Sequence, residues 1–119
     1  MELLTKAERD ELLENGRLQR AGQDEGAPEH DFKPVVRIFT AVTNATWLLT
    51  ELDPEEPDVA FGLCDLGLGC PELGYVSIKE LESIRGPRGP LVERDYSFTA
   101  DRPLSAYARE ARELERMHS

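Results

Sequence analysis

The chain has 119 residues, 39% of them apolar and 32% charged, and a formal net charge of −10. That is the length of one ordinary domain, and its longest apolar runs fall far short of the ~20 residues that span a bilayer. Two cysteines, Cys64 and Cys70, are too few for a disulfide-stapled secreted fold, and Met1–Leu4 lead straight into charged residues with no apolar leader, so a reduced, soluble, cytoplasmic protein is expected.

Thr5-Lys6-Ala7-Glu8 is a capping box and predicts a helix from there to about Glu14. Asn15-Gly16 supplies a left-handed stop, and residues 21–33 read as a polar loop. Four strands follow. Pro34–Thr40 is β-branched and aromatic, and Ala45–Leu52 is joined to it through Val42–Asn44. Asp53–Asp58 is a turn fixed by two prolines, Val59–Leu66 is the third strand, Gly67–Pro71 a second turn, and Leu73–Ile78 the fourth strand. Links this short favour an antiparallel meander over parallel crossovers. Ser77-Ile78-Lys79-Glu80 is a second capping box and opens a short helix that Gly86-Pro87 closes. The segment 86–95 reads as a loop, with a short edge strand at Tyr96–Phe98. The last helix starts near Pro103, and Leu104, Tyr107, Ala108, Ala111 and Leu114 form one apolar stripe.

The expectation is a single α+β domain over 1–119: an N-terminal helix and polar loop to residue 33, an antiparallel sheet of four to five strands over 34–78, and helices with a loop over 79–119. A modest apolar supply suits a sheet with helices packed on one side.

From Trp47 onward the chain carries TWLLTELDPEE, FGLCDLGLGCPELGYVSIKELE, GPRGPLVERDYSF and PLSAYA. In this order they resemble the uncharacterised bacterial family called domain of unknown function 2958, over about residues 34–108. The resemblance implies a bacterial cytosolic protein encoded on plasmids, phages or integrated elements. It implies no catalytic residues.

Charge is unevenly placed. Residues 1–33 hold nine acids and five bases, and residues 76–119 hold eight of each. Residues 34–75 hold Glu51, Asp53, Glu55, Glu56, Asp58, Asp65 and Glu72 against Arg37 alone. A stretch without bases from Arg37 to Lys79 repels nucleic acid and anionic membranes and attracts basic protein surfaces. Those seven carboxylates are therefore the candidate binding surface. Their spacing lacks the alternating acids and central glycine of a calcium loop, so a solvated turn outweighs a metal site. Cys64-x5-Cys70 has too few partners for a zinc site, since the histidines are His30 and His118 alone; Cys64 reads as a small strand side chain. Arg94, in Glu93-Arg94-Asp95, is a candidate clamp for a ligand carboxylate or phosphate, with an internal ion pair to Glu72 or Glu80 the favoured alternative. Glu51 with Glu72 or Glu80 would do acid–base work only if they met. Trp47, Phe61, Tyr75 and Phe98 read as core, or as a face that takes a partner.

Three function classes follow. The preferred one is a non-enzymatic acidic binding or inhibitory protein that offers carboxylates to a basic, nucleic-acid-binding partner, as a nucleic-acid mimic or anti-defence protein would. The alternatives are a carboxylate-based metal-dependent hydrolase and a homodimeric interaction module. No cofactor and no catalytic residue is assigned.

Overall fold

The computed structural model describes residues 3–40, 43–66 and 70–118, with the side chains of 115–118 left aside. Helix α1 (Lys6–Asp24) is followed by strands β1 (Val36–Thr40), β2 (Thr46–Leu52), β3 (Val59–Asp65) and β4 (Glu72–Ser77). Then come α2 (Ile78–Glu82), a small hairpin of β5 (Arg85–Gly86) and β6 (Gly89–Pro90), strand β7 (Val92–Arg94) and helix α3 (Leu104–His118). Five strands form one antiparallel sheet in the order β4-β3-β2-β1-β7. The α+β antiparallel architecture is thus the one read from the sequence. The added fifth strand is Val92–Arg94 on β1, four residues before the edge strand expected at Tyr96–Phe98.

The sheet is covered on both faces, not one. Leu12 of α1 and Ile78 and Leu81 of α2 pack with Val36, Ile38, Trp47, Leu49, Leu52 and Ala60. Leu104 and Ala108 of α3 pack with Leu48 and Leu63 on the opposite face. Strand alternation forces this split, because Leu48 and its neighbours Trp47 and Leu49 point to opposite sides. Each fully buried leucine or isoleucine contributes about 1.5–3 kcal/mol of transfer free energy. Wrapping the long helix on one face and the short stripe of α3 on the other leaves part of the second face open.

The capping box forms as expected: Thr5 accepts from the Glu8 N–H at 3.2 Å and Glu8 accepts from the Thr5 N–H at 2.7 Å. The helix does not stop at Asn15-Gly16. It runs ten residues past Glu14, and Gly26 at φ 72° ends it. Gly16 faces the sheet, where a Cβ would run into the Leu52 carbonyl, and the Asn15 side-chain amide donates to the Thr50 carbonyl at 2.9 Å. The pair that reads as a stop is thus a close-approach site of α1 on β2. Ser77 caps α2 by accepting from the Glu80 N–H at 3.2 Å, and it also donates to Asp58. Most of the turn expected at Gly67–Pro71, and residues 41–42 beside the first turn, lie outside the described residues.

Candidate functional site

The open part of the second face lies over β2, β3 and β4. A register shift between Leu49 and Glu51 places Thr50 in a bulge, so that Glu51 pairs with Phe61 and Leu52 with Ala60. Without the bulge the residues beyond it would exchange faces. With it, Glu51, Phe61 and Tyr75 stand side by side across three strands. The Phe61 and Tyr75 rings lie 5.1 Å apart at 60°. Tyr75 is 74% exposed and Leu73, two residues along, 42%.

One wall of this surface is the segment before β1. Gln19 on α1 brackets His30, donating to its carbonyl at 3.1 Å and accepting from its N–H at 2.9 Å. His30 stacks on Phe32 at 5.2 Å. Asp31 accepts from the Ser105 N–H at 3.1 Å, and the Leu104 N–H donates to the Phe32 carbonyl at 2.9 Å, which ties the segment to the start of α3. The result is a cleft of about 290 Å³ lined by Gln19, Glu29, His30, Phe32, Glu51, Phe61, Leu73 and Leu104. Burial pushes the Glu51 carboxyl above its ordinary value, with the Glu29 charge adding to the rise and the Gln19 hydrogen bond opposing it. Sequence reading singled out Glu51, Phe61 and Tyr75. It missed Glu29 and His30, because a polar loop carries no periodicity that says where it docks, and Gln19 and Leu73, because their neighbours in the cleft come from distant segments.

The seven carboxylates of the base-free stretch fall at different places. Glu51 is in the cleft. Asp53 caps the β2–β3 turn, accepting from the Glu55 N–H at 2.8 Å and the Glu56 N–H at 3.3 Å. Arg20 of α1 reaches this turn, 2.7 Å from Glu55 and 3.6 Å from Asp53. Asp58 accepts from Ser77 and from the Lys79 N–H at 2.9 Å, and the Ser77 hydrogen bond holds its carboxyl below the ordinary value. Glu56 is exposed on the same turn. Asp65 lies at the far end of β3, in a second cleft of about 290 Å³ that also holds Arg37, Arg102, Tyr107 and Glu110. Glu72 is exposed at the start of β4. Five of the seven therefore gather at one end of the sheet and two at the other. Seven residues of strand separate them, or about 20 Å.

Arg94 is engaged inside the fold. It pairs with Glu8 of α1, not with Glu72 or Glu80, both side chains are under 20% exposed, and the guanidinium stacks 4.7 Å over Tyr96. Glu51 and Glu72 do not meet: Glu72 lies three residues from Tyr75 and so points to the other face. Glu80 is on α2, which packs on that other face as well. Cys64 faces Trp47 across the strands, half-buried, and burial raises its thiol; both it and Cys70 are free. Among the described residues, no three His, Cys, Asp or Glu side chains gather as a metal site, and no helix is long and apolar enough to cross a membrane.

A family profile described as protein of unknown function (DUF2958) matches residues 3–118, nearly the whole chain. No curated protein and no solved structure matches it.

Proposed function

The chain belongs to the DUF2958 family, and we propose that it is a non-enzymatic binding or inhibitory protein that takes a basic protein surface on the half of its sheet formed by β2, β3 and β4. One observation supports this reading most directly. Those three strands and their turns carry no lysine or arginine, and the face they leave uncovered holds Tyr75, Leu73 and Phe61 beside the Glu51 carboxylate.

The layout is an apolar centre bordered by carboxylates: Glu51, Glu55 and Glu56 toward the turn, with Glu72 at the other end of β4 on the opposite face. Interfaces between proteins have this anatomy, with aromatic residues at the centre and polar groups at the rim. Charge steers the encounter and selects a basic partner, while the buried apolar contacts hold it. A plain phosphate look-alike would not need the apolar centre, so a protein partner fits better than mimicry of a nucleic-acid backbone alone. Arg20, which borders Glu51, Phe61 and Tyr75, is held by Glu55 and Asp53; these pairs lower the free charge at the turn and leave Glu56 and Glu51 as the principal rim acids. On a bacterial mobile element, such a protein would act in the cytoplasm against a host nucleic-acid-binding complex of the defence kind.

The test is retention of purified nucleic-acid-binding proteins of high isoelectric point on the immobilised chain. Capture should weaken as salt rises from about 50 to about 500 mM, because the Debye length shrinks about threefold. It should also fall for the double variant Glu51→Gln, Glu56→Gln and for Tyr75→Ala. Retention that ignores both salt and the double variant would overturn the reading.

A further inference from the structure

Strand β4 ends the sheet, and among the described residues nothing pairs with its outer side. The ladder shows which backbone groups that side presents. The Ile78 N–H donates to the Asp58 carbonyl at 2.9 Å, in the same register that pairs Val59 with Ser77. Counting back by twos, Val76, Gly74 and Glu72 aim their N–H and C=O groups at β3. Leu73 and Tyr75 aim theirs outward.

Edges of this kind are normally blunted by an inserted lysine, a proline or a bulge. The run Leu73–Val76 has none of these, and its register on β3 is unbroken over six pairs. Leu73 and Tyr75 also put exposed apolar side chains beside the free edge. A Cβ at Gly74 would meet nothing within 4 Å, so the other face is open there too.

We propose that the outer edge of β4 accepts an extended basic segment of a partner protein as a sixth strand. This rests on the binding reading above and names its mode. Backbone hydrogen bonds at Leu73 and Tyr75 supply the pairing, and alternate side chains of the segment lie on the Leu73–Tyr75–Phe61 surface. Charge decides the occupant. The three strands at this edge and their turns contain no base, and Glu72 is exposed at the head of β4. A second copy of the chain would bring two such base-free halves together, which like charges oppose. A segment bearing lysines or arginines meets opposite charge instead.

The probe is a synthetic octapeptide of alternating lysine and valine, compared with the same peptide methylated at every backbone nitrogen. Both carry the same charge, and only the first can donate to an edge. The unmethylated peptide should bind at least about tenfold more tightly, and on saturation the Leu73 and Tyr75 amides should exchange at least about tenfold more slowly. In the protein, Leu73→Pro should lose this preference while Leu73→Ala keeps most of it, since proline removes an outward donor without breaking the ladder to β3. Equal, salt-sensitive binding of both peptides overturns the sixth strand and leaves the charge-based reading standing. Binding of neither peptide also overturns it, and the retention experiment then decides the charge-based reading separately. A concentration-dependent dimer with protected Leu73 and Tyr75 amides in the absence of peptide would assign the edge to a second copy instead.

Discussion

Gly16 and Gly74 are both glycines inside regular elements, and what stands over each separates them. Over Gly16 is the Leu52 carbonyl, so Gly16→Ala forces α1 off β2 and should cost about 1–3 kcal/mol. Over Gly74 there is open space, so Gly74→Ala should stabilise by about 0.4–1 kcal/mol through the unfolded chain. Urea unfolding of the two variants checks both signs, and equal effects would refute the packing argument. Glu51 makes a pH-dependent prediction. Burial raises its carboxyl above the ordinary 4.5, so the folded chain holds that proton more tightly than the unfolded chain does. The stability from this group is fully present below the unfolded value and is lost as pH rises through the raised folded value. Glu51→Gln removes the buried charge. It should therefore melt higher than the parent at pH 7, with the gain vanishing as pH falls below about 4.5. A gain that is constant across pH would assign the effect to packing alone. Neither the crowding at Gly16 nor the burial of Glu51 is legible in the sequence, because each depends on a residue more than ten positions away.

At the scale of elements, the Arg94–Glu8 pair joins the first helix to the last strand of the sheet. Both side chains are nearly buried, and Glu8 also closes the capping box of α1. Removing one partner leaves an uncompensated charge, so Glu8→Ala or Arg94→Met should each cost about 3 kcal/mol. The double variant should cost less than the sum, with a coupling of about 1.5 kcal/mol or more by a double-mutant cycle. Additive losses would mean that the two side chains act independently. This pair also shows how far a local reading reaches. Glu8 was legible as half of a capping box, because its partner lies three residues away. Its second role depends on a strand 86 residues later. The same limit misplaced the end of α1: Asn-Gly is a stop signal on local grounds, yet the tight seat of Gly16 on β2 keeps the helix going until Gly26.

For the whole molecule, an acidic edge that repels its own copy predicts a monomer. Light scattering at low salt should return about 13.4 kDa over a wide concentration range, whereas a dimer would favour the second copy as the natural occupant of β4. The sequence by itself determined the α+β class, the antiparallel pairing of four consecutive strands, the three helix starts and the apolar stripe of α3. These follow from two-residue and 3.6-residue periodicities and from caps, which act within a few residues. It also determined that one stretch of the chain is free of bases. Only the tertiary structure decided which faces the helices cover, where β7 pairs, that Arg94 is spent on Glu8, and that five acids lie at one end of the sheet and two at the other. Those depend on a single bulge at Thr50 and on contacts between distant segments. Side-chain direction after a bulge, and the docking of a loop on a remote helix, are set by packing in three dimensions and leave no periodic trace in the chain.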